Sequence, residues 1–335
     1  MPGDAPIIFI HYGNASYLRY TLDTARRSNP GKRIILLGDE SNKHLAGRGV
    51  EYHAIDTFAR GPLIETFDRV FQLIKGEGHN YRKLGGSDFW TRFVFRRWFV
   101  IREFLESQGI TSFWTFDSDT LILAPLADRE ARFASFDCTE QCRAECLNGF
   151  VPDTAIVTRY VEKINELFQR PDYLAEQAAL LKRHQSLAFT EMNAYVTFRN
   201  EEKINSCYLA QPLEEEAFDD ALCFTENYAI HPNKVKERME IKDLHLDPRG
   251  AIFVKHLPTD TVIRFITLNL SWMPDYIFER LIPFASASAQ PYPINPEQFA
   301  SLPRLEVSEP LSSRARRWAE LAVYRAKQLV YRRQK

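Results

Sequence analysis

Residues 111–120 have the sequence TSFWTFDSDT. The largely apolar run 111–116 predicts a buried strand, and a second apolar run, 120–126, follows it. The carboxylates of Asp117 and Asp119 are costly at the end of a buried strand unless something compensates their charge. Mg²⁺ or Mn²⁺ would do so, because hard cations prefer oxygen ligands. The stretch predicts a metal site that holds a diphosphate, and the alternative is a solvated turn, since Asp and Ser are common turn residues.

Upstream of this stretch, strand patterns alternate with a helical one, and this order predicts an open, mainly parallel α/β sheet. The predicted strands are residues 7–10, 33–37 and 50–55, and the predicted helix is 15–28. Ligands of such sheets bind at the carboxyl ends of the strands. The candidate binding residues at those ends are His11, Tyr12, Gly13, Asp39 and Ser118.

A long helix is predicted over residues 89–108, with Ser87 or Asp88 as its N-cap and Gly109 as its end. Arg92 and Arg96 are four residues apart on this helix, and Arg97 follows. Because the planar guanidinium suits phosphate oxygens, Arg92 and Arg97 are candidate nucleotide-binding residues. The alternative is that these arginines form a solvated helix face.

The composition is that of a soluble globular protein of 335 residues with a net charge of -1, which implies no general affinity for polyanions. Residues 6–10 are too short an apolar stretch for a signal peptide, and no run is long enough to span a membrane. Five cysteines without paired spacing predict reduced thiols in a cytoplasmic protein. Cys138, Cys142 and Cys146 would share one face of a helix, which leaves a metal site open as an alternative.

The C-terminal part predicts two further segments after a catalytic domain at 1–284. Residues 285–311 are rich in Pro, Ala and Ser, which predicts a linker or an arm over the body. Residues 312–335 predict a helix with eight basic residues, one acidic residue and an apolar side that includes Trp318 and Leu321. Such a helix favours peripheral binding to an anionic membrane surface, and the alternative is a helix packed on its own domain.

The order of these features resembles bacterial nucleotide-sugar glycosyltransferases of the GT-A fold. That family has an Arg-Trp pair on a helix shortly before a strand and its DxD motif, and here Arg97-Trp98 precedes Asp117-Ser118-Asp119. The N-terminal strand–helix–strand fits the same fold, and Thr190-Glu191-Met192-Asn193 is similar to an acidic segment downstream in several such families. The resemblance covers roughly residues 5–275.

The resemblance implies roles for the matching residues. Asp117 would contact the ribose, or the metal through water, and Asp119 would coordinate Mn²⁺ or Mg²⁺ directly. His11, Tyr12 and Gly13 would hold the base and ribose. Glu191 would face the acceptor or the transferred sugar, where an inverting enzyme needs a carboxylate base.

One departure concerns the third metal ligand. Relatives often supply a His in a Leu-His-aromatic setting near the C-terminal end of the catalytic domain, whereas residues 268–272 here have the sequence LNLSW. An Asn carbonyl can ligate Mg²⁺ or Mn²⁺, so Asn269 is one candidate. His256 is a second candidate, and His245 is also near in sequence.

The function implied is transfer of a sugar from a nucleotide-sugar donor to a saccharide or lipid-linked acceptor, in surface glycan synthesis. One alternative is a catalytically weak or inactive carbohydrate-binding relative, which the Asn at position 269 favours. Another is a metal-dependent phosphohydrolase of the haloacid dehalogenase type, since residues 116–121 (FDSDTL) are similar to its strand-end signature. In that class the motif normally follows the first strand of the domain.

Overall fold

A computed structural model describes residues 5–79, 86–285, 292 and 294–311, and within them strands and helices alternate along most of the chain. The strands are β1 (Ile7–His11), β2 (Ile34–Gly38), β3 (Val50–Ala54), β4 (Phe113–Thr115), β5 (Thr120–Ile122), β6 (Cys138–Gln141), β7 (Cys146–Leu147), β8 (Gly149–Val151), β9 (Ser206–Tyr208), β10 (Glu216–Phe218), β11 (His245–Asp247), β12 (Ala251–His256) and β13 (Thr261–Asn269). The helices are α1 (Leu18–Ser28), α2 (Ile55–Phe58), α3 (Pro62–Val70), α4 (Ser87–Gln108), α5 (Glu130–Phe133), α6 (Ala155–Leu167), α7 (Pro171–Arg183), α8 (Glu191–Glu201), α9 (Asp275–Leu281) and α10 (Pro296–Ser301).

The predicted parallel sheet is present, with the strand order β3-β2-β1-β4-β8. The first four strands are parallel, and β8 pairs antiparallel with β4. Every residue of β1 and β2 is buried, which is why both strands are continuous apolar runs. The order reverses between β1 and β4, so the crevice between their carboxyl ends is a topological switch point, where ligands bind in sheets of this kind.

A second sheet with the order β10-β13-β12-β11 lies next along the chain, and β5 pairs antiparallel with its strand β13. Since β4 ends at Thr115 and β5 begins at Thr120, residues 116–119 carry the chain directly from the parallel sheet to the second sheet. Asp117, Ser118 and Asp119 therefore form the junction between the sheets, and they do not belong to a surface hairpin.

The helix predicted before this junction is α4, which begins at Ser87 and ends where predicted. Gly109 has φ 61°, the left-handed conformation that ends many helices. The predicted N-cap was wrong, because Gly86 occupies that position and no side chain caps the helix.

The three clustered cysteines do not share a helix face. Cys138 lies on β6 and Cys146 on β7, two antiparallel strands, and Cys142 lies in the turn between them. A spacing of four also suits a hairpin in which the first and last thiols sit on opposite strands and the middle one in the turn. All five cysteines of the chain are free thiols.

The described residues of 285–311 lie against the second sheet. Leu305 and Val307 are buried in the core that β12 and β13 form, and Arg304 makes a β-bridge with His245. The predicted basic helix at 312–335 lies outside the described residues and stays a prediction. Among the described residues, no helix has both the length and the apolar character needed to cross a membrane.

Trp114 of β4 occupies the centre of an aromatic cluster beneath the junction. Its ring is fully buried, and its centroid lies 4.9 Å from that of Phe150 and 6.0 Å from that of Phe218. Its indole N–H donates to Glu130 Oε1 at 3.1 Å. The cluster packs the parallel sheet against β10 of the second sheet, and so supports the junction between the two sheets.

We expect Trp114→Ala to lower the free energy of unfolding by about 3–5 kcal/mol, because it leaves a large cavity and removes a buried donor. Urea unfolding measures the change. Leu257→Ala is the control, since Leu257 is 54% exposed and its truncation should change stability by less than about 0.5 kcal/mol. Equal effects of the two substitutions would contradict the assigned role of Trp114.

Candidate functional site

The carboxyl ends of β1, β2 and β4 meet at one edge of the parallel sheet. His11 Nδ1 and Ser118 Oγ are hydrogen-bonded at 2.8 Å, which joins the ends of β1 and β4. The backbone N–H of Gly13 donates to Asp39 Oδ2 at 2.8 Å, which joins the ends of β1 and β2. The structure thus brings together four of the residues predicted to bind a nucleotide: His11, Gly13, Asp39 and Ser118.

The loop after β1 is held in place from two sides. Gly13 has φ 89°, a conformation that favours glycine, and its carbonyl accepts a hydrogen bond from Asn42 Nδ2 at 2.8 Å. Tyr12, the fifth predicted residue at these strand ends, packs its ring against Phe89 and Phe93 of α4. The loop is therefore fixed to β2 by polar contacts and to α4 by aromatic ones.

Arg97 lies between two carboxylates that are far apart in sequence. Its guanidinium donates to Asp117 Oδ1 at 2.9 Å and to Glu191 Oε1 at 2.9 Å. Burial opposes its charge, but Asp117 and Glu191 outweigh burial and raise the pKa of Arg97. The arrangement brings three predicted site residues into contact, on α4, on the junction and at the first turn of α8.

Arg92 does not share this position, contrary to the expectation from the sequence. It lies about 140° around the helix from Arg97. Arg92 and Arg96 both pair with Asp68 of α3, at 3.3 and 3.2 Å, and the guanidinium of Arg92 lies over the ring of Phe71. These two arginines join α4 to α3.

Asp119 is the least compensated carboxyl of the site. Its Oδ1 is buried and has no hydrogen-bond partner. Burial and, after it, the nearby charge of Asp117 raise the pKa of Asp119 to about 7, against the opposing effects of Ser271 and Arg97. An unpartnered oxygen beside a second carboxylate fits a hard divalent cation, which would balance both charges.

Asn269 lies beside this carboxyl but has partners of its own. It pairs with Thr120 in the β13–β5 ladder, and the N–H of Leu270 donates to the Asp119 carbonyl at 3.0 Å. The side-chain Oδ1 of Asn269 accepts from the N–H and the hydroxyl of Ser271, at 3.0 and 2.7 Å. Asn269 could ligate a cation only if it gave up those bonds.

His256 is not brought to the site, which corrects its prediction as a metal ligand. It pairs with Thr261 at the start of β13, whereas Asn269 is the last residue of that strand. The two ends of β13 are eight residue steps apart, which is about 26 Å. His256 contacts Thr259 and Tyr228 instead.

The donor set left for a cation is the pair Asp117 and Asp119. Throughout the described ranges, no group of three or more His, Cys, Asp or Glu side chains is arranged to hold a metal ion. A cation at this pair would take its other ligands from Asn269, from water or from the phosphates of a ligand. The pair follows the fourth strand of the sheet, which disfavours the phosphohydrolase alternative.

Several residues that support the site could not be singled out from the sequence. Thr21 Oγ1 donates to the Ser118 carbonyl at 2.7 Å, and the Tyr160 hydroxyl donates to the Glu191 carbonyl at 2.6 Å. Asp219 accepts from the Asn269 N–H at 3.1 Å and pairs with the buried Lys242. An available signal was the acidic pair at 219–220, which lies between the apolar residues 217–218 and 221–222.

A cavity of about 480 Å³ lies elsewhere, between α7 and the segment after α3. Its lining includes Gln72, Ile74, Phe168 and Leu174, and no charged side chain contributes to it. Without a titratable group it has no means of acid–base chemistry or of holding a cation, so the strand-end cluster remains the candidate site.

Comparison with known proteins adds only a distant likeness. No family model matches this chain, and no curated protein matches its sequence. Among solved structures, one titled "PaToxG Glycosyltransferase" is similar over 60% of this chain and 70% of its own, with a TM-score of 0.34 and 11% identity. A likeness at that TM-score carries no argument, so the function has to be inferred from the site.

We expect Asp119→Asn to stabilise the protein at pH 8 in the presence of a chelator, by about 1 kcal/mol, because the amide removes a buried negative charge beside Asp117. Urea unfolding measures the gain. Asp128→Asn, at an exposed position, is the matched control and should leave stability unchanged. A less stable Asp119→Asn protein would mean that the carboxylate is already compensated without a cation.

Proposed function

We propose that this chain is a metal-dependent glycosyltransferase of the GT-A type that moves a sugar from a nucleotide-sugar donor to a saccharide or lipid-linked acceptor. The observation that supports it most is the carboxylate pair at the switch point. Asp119 keeps an unpartnered oxygen there, and Asp117 is oriented by Arg97. A nucleotide diphosphate with Mn²⁺ or Mg²⁺ is the ligand that suits two such carboxylates at a strand end.

The nucleoside half of the donor would lie along the ends of β1 and β2. Asp39, His11 and the backbone of Gly13 form this edge, and Tyr12 fixes the loop to α4. Burial lowers the pKa of His11 to about 4, so its imidazole is neutral at physiological pH and can exchange hydrogen bonds with Ser118. A neutral group at this position adds no positive charge to the base and ribose region.

Negative charge grows on the diphosphate as the sugar leaves. A cation held by Asp117 and Asp119 would act there as a Lewis acid. The role of Arg97 is to hold the Asp117 carboxylate in one orientation, because both of its terminal nitrogens already bind carboxylates. Arg97 is thus a positioning residue rather than a ligand of the phosphates.

Glu191 is the proposed general base. The guanidinium of Arg97 bridges Glu191 and Asp117. Burial raises the pKa of Glu191, although Arg97 opposes the shift. A raised pKa favours proton abstraction from an acceptor hydroxyl near neutral pH. The bond to Arg97 fixes one carboxylate oxygen, Oε1, and so orients the other.

The setting of the reaction is proposed from the sequence. The basic residues of 312–335 favour an anionic membrane surface, where lipid-linked acceptors for surface glycans would be found. A cytoplasmic enzyme bound peripherally to that surface could reach both its soluble donor and such an acceptor.

We expect Asp119→Ala to abolish the Mn²⁺-dependent binding of UDP, GDP or CDP, because it removes the oxygen that faces the cation. Titration calorimetry of each nucleotide, with and without Mn²⁺, measures this in the full chain. Asp128→Ala is the control for a lost surface charge, and circular dichroism checks that both variants are folded. Unchanged nucleotide binding by folded Asp119→Ala would contradict the assignment of Asp119 to the metal and nucleotide site.

We expect Glu191→Gln to lower turnover by about 10²-fold or more with little change in nucleotide affinity, because the amide keeps an acceptor for Arg97 but cannot take a proton. Transfer assays and calorimetry separate the two quantities. An equal loss of nucleotide binding would show that Glu191 acts on the donor site through Arg97 and Asp117.

A further inference from the structure

Trp272 is an aromatic side chain left largely in solvent, with 65% of its surface exposed. Its backbone has φ 66°, a left-handed conformation that is rare for a bulky residue. The exposed ring gains little free energy from burial, whereas the backbone strain disfavours the folded state, and strain of this kind clusters at binding sites. The position of Trp272 therefore calls for a functional explanation.

A second strained segment faces Trp272. Cys142, Arg143 and Ala144 are three consecutive non-glycine residues with φ between 54° and 62°. The turn is held by the Arg143 N–H, which donates to Asp220 Oδ2 at 2.7 Å. Arg143 extends from this turn over the ring of Phe224, with its Cζ 4.1 Å from the ring centroid.

Phe224 joins the two strained segments. Its ring centroid lies 6.5 Å from that of Trp272, at an interplanar angle of 48°. Arg143, which lies over the same Phe224 ring, pairs with Glu226, and both charged side chains are more than half exposed. The surface thus combines two aromatic rings with an adjacent hydrogen-bond donor and acceptor.

This surface borders the carboxylates of the candidate site. Trp272 directly follows Ser271, whose side chain bonds Asn269 and lies within hydrogen-bond reach of Asp119. The thiol of Cys142, next to Arg143, lies close enough to Asp117 and Asp119 for their negative charges to raise its pKa. Both edges of the surface are therefore one residue away from groups that lie near the carboxylates of the site.

We propose that Trp272, Phe224, Arg143 and Glu226 form a saccharide subsite that takes the acceptor ring beside the carboxylates. A pyranose has an apolar C–H face that suits an aromatic ring, and hydroxyl edges that need both donors and acceptors. The Arg143 guanidinium supplies the donors and the Glu226 carboxylate supplies the acceptors. Because this ion pair is exposed, it contributes little to stability and can be exchanged for hydrogen bonds to a sugar. The assignment of the bound sugar ring to the acceptor rests on the proposed function.

The test compares saccharide binding by four full-length proteins on a microarray of immobilised glycans: wild type, Trp272→Ala, Trp272→Gly and Leu257→Ala. We expect both Trp272 variants to lose about tenfold or more in affinity for the glycans that wild type retains. Glycine tolerates a positive φ, so Trp272→Gly removes the ring without backbone strain and should remain folded. Leu257 is also an exposed apolar residue, at the far end of β13, and its truncation should change nothing.

Binding of glycans equally by wild type and the Trp272 variants would overturn the subsite, and so would a wild type that retains no glycan. Loss of UDP, GDP or CDP binding in the Trp272 variants with glycan binding intact would also overturn it, since the rings would then stack on a nucleobase. Glycan binding through Trp272 in a chain that neither binds nor hydrolyses nucleotide sugars would keep the subsite and overturn the glycosyltransferase proposal.

Discussion

The double ion pair of Arg97 is the interaction on which the site depends. One guanidinium holds Asp117 and Glu191, and its own helix, α4, shares a hydrophobic core with β1 and β2. Three elements that are distant in the chain are thereby fixed to one another at the carboxyl ends of the strands. Because the side chain of Glu191 is only 7% exposed, loss of Arg97 would leave its carboxylate as a charge with little access to water.

The negative charge of the site exceeds what Arg97 can balance. Asp117, Glu191 and Asp119 lie in one region, and Asp119 keeps an oxygen without a partner. Lys242 is near in the fold, but it is bound to Asp219 on the second sheet. A native fold that retains such an excess sacrifices stability for function, which is the usual relation at binding sites.

Much of the fold could be predicted because the deciding signals are local. Residues 7–10 and 34–37 are apolar runs because side chains of α4 pack on one face of β1 and β2 and side chains of α1 on the other, and Gly109 ends α4 through its own left-handed backbone. The strand-end position of Asp117 followed from the same patterns.

The rest depends on tertiary geometry that no local pattern contains. Whether Arg92 or Arg97 faces the strand ends is set by the rotation of α4 against the sheet. The distance of His256 from Asn269 is set by the antiparallel register of β12 and β13. The role of Trp272 is visible only once the turn at Cys142 and the ring of Phe224 are placed beside it.

The four-residue junction between the sheets has a mechanical consequence. Asp117 is bound through Arg97 to the helices of the first sheet, whereas the backbone of Asp119 is bound to β13 of the second. A cation shared by the two carboxylates would therefore connect the two sheets at this four-residue junction. Occupancy of the site and rigidity of the junction would rise and fall together, so that the protein without a cation would be the looser one.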